Sequence, residues 1–311
     1  MTYHLRKILL RLLAGIGVLW GAATLTFAAI NLTGGDTALA ILGGPEAMPT
    51  PEVMAQVRKE YGLDDPLPVQ YANYLLKLAK GDLGESYQLR IPVADAITQQ
   101  LSATIQLALC AGVLAVSLSV LLAILTAGRA QWIRSLTSGL ELTITSAPSF
   151  VVGLLLLLVF SFHFHWLPAA GSQGWKALVL PTLSLALPIV GVLTQVLRQE
   201  LEDILEQPFI VMARARGMSE AGVRLRHALK HAMVPLATLS GFIFASLLGG
   251  AVVVEMLFAR QGVGRLMLDA ANTKDIPIVL GITLLAALIY VVVNLLVDLV
   301  NALIDPRRVA W

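Results

Sequence analysis

Residues 208–235 read PFIVMARARGMSEAGVRLRHALKHAMVP and stand between two long apolar runs of the chain. Pro208 is typical of a first helical turn, Gly217 of a helix end, and Ser219 of the residue that caps the next helix. We therefore predict two short helices with a hinge between them, the second running from Ser219 through Lys230. The proline that closes the stretch marks the return into the next apolar run.

The apolar runs on either side indicate a membrane protein. Of the 311 residues, 57% are hydrophobic and only 14% are charged, whereas a soluble domain carries about 25% charged residues. Because hydrocarbon offers the main chain no hydrogen-bond partner, every span must be helical. We expect an all-α polytopic bundle of six transmembrane helices of roughly 20 residues or more. The six runs are 9–30, 101–126, 140–162, 177–197, 234–257 and 276–304.

The fourth run contains two prolines, at positions 181 and 188. Proline is tolerated in membrane helices where neighbouring helices satisfy the carbonyl groups that it leaves unpaired. We therefore keep this run among the six predicted spans.

Charge placement predicts the orientation of the bundle. Residues 6–11 contain three basic side chains ahead of the first run, which favours a cytoplasmic N-terminus. With six spans, the basic segments 129–134, 198–230 and 307–308 then also lie inside. Residues 31–100 carry nine acidic and five basic side chains and lie outside. Both termini are thus predicted to be cytoplasmic.

This topology divides the chain into three parts. Residues 1–30 form a cytoplasmic stub and the first transmembrane helix, whose apolar run exceeds the ~7–15 residues of a cleaved signal. Residues 31–100 form an external helical segment that caps the bundle. Residues 101–311 form a five-helix transmembrane core with a cytoplasmic loop at 199–233.

The two longer external segments contain local helix signals. In the first, one helix begins after the capping residue Thr50 and ends before Gly62, and a second covers 68–80 and is closed by Gly81. In the second, 258–275, two glycines predict a tight turn before a short helix.

The cytoplasmic loop has the composition of a docking surface. Phe209 and Met212 stand beside Arg214 and Arg216, and apolar anchors with a basic rim suit insertion into a groove of a partner. Alternatively, the loop is basic only because cytoplasmic loops collect Lys and Arg. That explanation covers the charges but not the ordered helix stop and start signals, so we favour docking.

The same loop resembles the coupling loop of the membrane permeases of ABC importers, and is closest to the dipeptide, oligopeptide and nickel permease family. The resemblance extends in order over nearly the whole chain. The matching segments are 61–71 (YGLDDPLPVQY), 81–86 (GDLGES), 213–220 (ARARGMSE), 226–232 (RHALKHA), 249–258 (GGAVVVEMLF), 262–265 (GVGR), 275–277 (DIP) and 298–307 (DLVNALIDPR). Two departures are Val211-Met212 where the general coupling motif has Glu-Ala, and Gln261 where the family usually has proline.

The resemblance implies a type I ABC importer permease fold in the bacterial inner membrane. It implies a second homologous permease subunit, two ATPase subunits that bind ATP and Mg, and an extracytoplasmic substrate-binding protein, with no nucleic acid. The cargo would be a di- or oligopeptide, nickel or a metal chelate. The coupling residues would be Phe209, Met212, Ala213, Arg214, Ala215, Arg216, Gly217 and Ser219. The chain itself lacks the Gly-rich phosphate loop GxxxxGK[S/T], so we expect no cofactor and no catalysis in it.

Other ionisable residues offer weaker signals. Glu141, Glu255 and Asp298 lie in or near apolar runs, where a carboxylate needs a partner, water or the interface, and we expect structural roles. His163 and His165 are two residues apart at an external mouth, which is a weak metal-site signal.

Two other classes of function fit the sequence less well. A secondary carrier or channel acting alone would be expected to show a relay of intramembrane carboxylates rather than a capped cytoplasmic loop. An intramembrane enzyme would need a nucleophile with a paired base or a HExxH motif, and neither pattern is evident.

Overall fold

The computed structural model describes residues 2–33, 36–43 and 48–304. Across these residues the chain is almost entirely helical, and an isolated antiparallel bridge joins Glu85 to Pro92. In chain order the helices are α1 (Thr2–Thr33), α2 (Thr37–Ile41), α3 (Pro51–Glu60), α4 (Leu67–Ala79), α5 (Val93–Thr126), α6 (Gln131–Ser146), α7 (Ser149–Leu156), α8 (Lys176–Leu205), α9 (Pro208–Ala215), α10 (Glu220–Gly222), α11 (Leu229–Leu257), α12 (Val263–Asn272) and α13 (Ile276–Ile304). Two π-helical turns, Leu157–His163 and Val223–Ala228, continue α7 and α10.

Several helices are long enough to cross a bilayer. Among the described residues, α5, α8 and α13 have the length and apolar composition of a span, and α6 with α7 adds a fourth if the bent pair is one span. The first and fifth predicted spans lie within α1 and α11, which are 32 and 29 residues long. The all-α membrane fold is confirmed. The count of six spans and the three-part division of the chain stay predictions.

The third predicted span is not one straight helix. It begins in α6, breaks at Ala147 and Pro148 and continues in α7, with an angle of 100° between the two parts. Ala147 has an extended backbone with ψ of 124°, the conformation that the residue before a proline favours. The third predicted span, 140–162, is therefore made of two helices that meet at this proline.

The first compact unit holds the residues up to Ala103 together with 261–291. Its predicted local helices are confirmed. The side chain of Thr50 caps α3, and Gly62 and Gly81 have φ of +64° and +77°. α4 lies on α1 through Tyr71, whose ring centroid is 5.3 Å from that of Phe27.

Asp275 holds two links of this unit together. Its carboxylate is 1% exposed and accepts hydrogen bonds from the Ser86 hydroxyl and from the main-chain N–H groups of Tyr87 and Gln88. Hydrogen bonds to a buried carboxylate offset the cost of removing it from water. The segment before α5 is thereby held to the residue that precedes α13.

α8 is the central helix of the second compact unit, which contains residues 104–260 and the end of α13. It packs against α6, α7 and α11, and its buried residues extend from Ala177 to Leu205. Pro181 and Pro188 lie inside it without breaking it, as expected where neighbouring helices surround a proline. The fourth predicted span is therefore one continuous helix.

At Gly191, α8 approaches α6 closely. A Cβ atom at this position would lie 2.2 Å from Thr145 Oγ1 and 2.9 Å from the main-chain oxygen of Glu141. Small residues of this kind let two membrane helices pack backbone against backbone. The contact fixes the spacing of α6 and α8.

We expect Gly191→Ala to force α6 and α8 apart, because the oxygen of Glu141 belongs to the main chain and cannot rotate away. Overpacking of this kind costs about 1–3 kcal/mol. The thermal unfolding midpoint of the purified chain in detergent should fall by several degrees. Gly139→Ala is the matched control on α6, because a Cβ there has no atom within 4 Å. Equal midpoints for the two variants would contradict the close approach.

Candidate docking site

The docking segment, which we define as residues 207–231, begins with a short capped helix. Gln207 has an extended backbone and Pro208 is the first residue of α9. After α9 the N–H of Gly217 donates to the oxygen of Arg214 (2.9 Å) and that of Met218 to the oxygen of Ala213 (3.3 Å). This paired arrangement is the Schellman motif, which requires a left-handed residue, and Gly217 has φ of +81°.

The second half of the segment differs from the prediction. Ser219 caps the helix as expected, since its Oγ accepts the N–H of Gly222 at 3.3 Å. However, α10 and the following π-helical turn run directly into α11, and Pro235 lies inside α11. The predicted helix end at Lys230 is therefore wrong. A proline lacks only one donor, and the packing of α11 on α8 supports the helix across it.

The inner face of the segment belongs to the core of the second unit. Ile210, Val223 and Ala228 are fully buried, and Ala213 is 8% exposed. These side chains pack in the same cluster as Leu205 of α8. Ala213, which the sequence placed among the coupling residues, anchors the segment and is not open to a partner in this chain.

The outer face of α9 is apolar although it is exposed. Phe209 is 43% exposed, and Val211 and Met212 are each 56% exposed. Ala215 and Arg216 are exposed beside them. Contiguous exposed apolar side chains rimmed by charge mark an interaction surface. The sequence did not single out Val211, because a run of four apolar residues at 209–212 carries no signal about which of them face outward.

Arg214 stabilises the docking segment through hydrogen bonds. Its guanidinium donates to Glu220 Oε1 (2.8 Å) and Oε2 (3.3 Å) and to the main-chain oxygen of Leu205 (3.3 Å). Hydrogen bonding to Arg214 lowers the pKa of Glu220 below its usual value. Arg214 thus joins α9, α10 and the end of α8.

Arg224 connects the segment to α5. It is 9% exposed, and its Nη1 donates to the oxygen of Ile124 at 3.2 Å. Burial, and then the neighbouring charge of Arg129, lower the pKa of the Arg224 guanidinium. The last carbonyl groups of a helix favour a cation, so the end of α5 is a suitable site for this side chain. The sequence offered only a basic residue in a basic loop.

The other candidate residues lie away from the segment. His163 ends the π-helical turn after α7, with its ring 4.8 Å from that of Phe164, and His165 has φ of +55°. In the described part of the chain, no three or more His, Cys, Asp or Glu residues gather where they could hold a metal ion. A role of the two histidines in metal binding stays an untested prediction.

Two carboxylates within apolar helices are matched to polar partners that the sequence left unidentified. Glu141 is paired with Arg198, and Glu255 accepts the hydroxyl of Thr104 at 2.6 Å. Asp298 lies in α13; Arg307 and Arg308, its candidate partners from the sequence, lie outside the described residues.

Comparison with known proteins covers almost the whole chain. Residues 119–309 match the family described as the binding-protein-dependent transport system inner membrane component, and residues 4–108 match the N-terminal part of such components. The glutathione transport system permease protein of Salmonella typhimurium is 37% identical over 303 residues, which cover 97% of this chain and 98% of that protein. A putative peptide transport system permease protein of Brucella abortus is 37% identical over 309 residues, covering 96% of this chain and 98% of that protein. This chain therefore belongs to the family of binding-protein-dependent inner membrane components, the multi-pass permease subunits of ABC importers.

Proposed function

We propose that this chain forms half of the transmembrane path of an importer for short peptides. A substrate-binding protein delivers the cargo outside, a second homologous permease completes the path, and two ATPase subunits hold ATP and Mg inside. The observation that carries the proposal is the outer face of α9, which is apolar, exposed and mounted on the buried end of α8. Such a face suits a groove on each ATPase subunit.

The mounting of the segment supports a role in transmitting motion. Arg214 ties it to the end of α8, and Arg224 ties it to the end of α5. A partner that displaces α9 would displace both helices with it. ATP-driven closure of the ATPase pair would then turn the cavity outward, and hydrolysis would return it inward.

The similarity to permeases named for glutathione and peptide transport supports peptide cargo. Glutathione is itself a short peptide, so both names describe one chemical class. Nickel and metal chelates were the other cargoes implied by the sequence, and they serve as comparison substrates in the test.

The direct test reconstitutes the complete importer in liposomes and measures uptake of labelled di- and tripeptides and of Ni²⁺. We expect peptide uptake that requires the binding protein, the ATPase subunits and ATP. Transport by this chain without an ATPase would refute the coupling role. Uptake of Ni²⁺ without uptake of peptide would refute the assigned cargo.

We expect Gly217→Val to abolish most transport while the chain still inserts. A left-handed backbone costs a non-glycine residue about 1–3 kcal/mol, and β-branched side chains tolerate it worst. No atom lies within 4 Å of the added Cβ, so the effect comes from the backbone alone. ATP hydrolysis should continue without uptake.

Gly217→Asn is the matched control, because asparagine enters the left-handed region more readily than valine. It should retain much more transport than the valine variant. Equal activity of the two variants would show that the backbone of this residue does not matter for coupling.

We expect Met212→Asp to weaken the binding of the ATPase subunits about tenfold or more, because burying a Met side chain is worth about 1.5–3 kcal/mol. Met212→Leu keeps an apolar side chain of similar size and should bind normally. Retention of ATPase subunits on the immobilised permease measures the difference. Unchanged retention by the aspartate variant would place the docking surface elsewhere.

A further inference from the structure

A buried ion pair joins α8 to α6 about two helical turns before the end of α8. Arg198 Nη1 and Nη2 donate to Glu141 Oε1 and Oε2, each at 2.7 Å. The same guanidinium donates to Thr137 Oγ1 (3.1 Å) and Ser138 Oγ (2.9 Å). The side chains of Arg198 and Glu141 are only 6% and 9% exposed.

Stability alone is a poor explanation for this pair. Removing two charges from water is costly, and a well-packed apolar pair of similar volume often stabilises a protein equally well. The ion pair adds direction, because the planar guanidinium makes hydrogen bonds at fixed angles. It therefore fixes how α6 is rotated and translated along α8.

Two further contacts join α6 and α8. One is the close approach of Gly191 to the main chain of Glu141. The other is the ion pair between Arg134 of α6 and Glu202 of α8, at 2.8 Å. From Arg198 to Glu202 the chain advances along α8, while the partner residues go back along α6 from Glu141 to Arg134. The two helices are therefore antiparallel. We therefore expect α6 and the second half of α8 to move as one rigid body.

The docking segment is attached to the end of this rigid body. Leu205, in the last turn of α8, accepts a hydrogen bond from Arg214 and packs in the same core as Ile210. Glu202 also accepts the N–H of Gly128 in the link between α5 and α6, at 3.4 Å. A displacement of α9 thus reaches α8 within one helical turn of its contacts with α6.

The far end of α6 is where the chain breaks. Ala147 and Pro148 set the 100° angle to α7, and the main chain there lacks the hydrogen bonds of a continuous helix. Motion of a rigid α6 would be absorbed at this bend, because a helix terminus changes its backbone angles more easily than a helix interior.

We infer that Arg198 and Glu141 are positioning residues for energy coupling, which transmit displacement of the docking segment through α8 to α6 and so change the bend at Ala147 and Pro148. The inference rests on the proposed function and assigns it a route inside this chain. The pair touches neither cargo nor nucleotide.

The test replaces the pair with an apolar one, Glu141→Leu with Arg198→Met, in the complete importer reconstituted in liposomes. We expect assembly and ATP hydrolysis to persist, and uptake of peptide per ATP hydrolysed to fall about tenfold or more. A purely structural role would lower the amount of assembled complex and leave this ratio unchanged in the complex that remains. An unchanged ratio overturns the inference.

A second variant keeps the inference testable if the apolar pair does not fold. The exchanged pair Glu141→Arg with Arg198→Glu restores opposite charges, and it should recover part of the ratio that Glu141→Arg alone loses. Failure of the exchange to recover any of the ratio, with assembly intact, would count against a directional role.

A direct measurement addresses the bend. Leu136 of α6 and Leu155 of α7, both more than half exposed, are each replaced by a spin-labelled cysteine. Cys110, the native cysteine of this chain, is replaced by serine so that it takes up no label. The two labels then report the distance across the break. In the otherwise unchanged importer this distance should change when ATP is added, and in the apolar variant the change should be lost. If the labelled importer with the ion pair intact transports peptide and this distance stays constant, the inference is overturned. Absence of ATP-dependent uptake by the unmodified importer would instead refute the proposed function.

Discussion

The second unit depends on the burial of α8. Between membrane helices, ordinary apolar contact gives little net gain, because lipid is as apolar as the side chains it replaces. Close packing and hydrogen bonds must hold the bundle together instead. Gly191 lets α6 approach the main chain of α8, and Ser184 donates to the oxygen of Ser149 at the start of α7 at 2.7 Å. The docking segment is attached to the last turn of the same helix.

Three buried charged side chains of this apolar protein have specific polar partners. Arg198 has a carboxylate and two hydroxyls, Arg224 has a helix-end carbonyl, and Asp275 has a hydroxyl and two main-chain donors. An unmatched charge would be costly here. These side chains connect segments that are far apart in the sequence, and they do so in defined orientations.

The docking segment has an exposed outer face and a buried inner face. Its outer face leaves Val211 and Met212 exposed, which favours a partner. Its inner face buries Ile210 and Ala213, which prevents it from moving independently of the helices beneath it. A loosely attached loop could bind an ATPase equally well, but it would absorb the motion rather than transmit it.

The sequence by itself determined the class of fold, the family, and the places where helices start and stop by local chemistry, such as Thr50, Gly81, Gly217 and Ser219. Caps and left-handed turns depend on the residue and its near neighbours, so they can be identified from a short stretch. Only the tertiary structure decided that Pro148 breaks a helix while Pro188 and Pro235 do not, because that outcome depends on which helices surround the proline. It also decided which face of α9 is exposed and that Arg198 meets a carboxylate 57 positions away. In a chain so uniformly apolar, periodicity cannot assign helix faces, and the pairing of distant charges follows from packing alone.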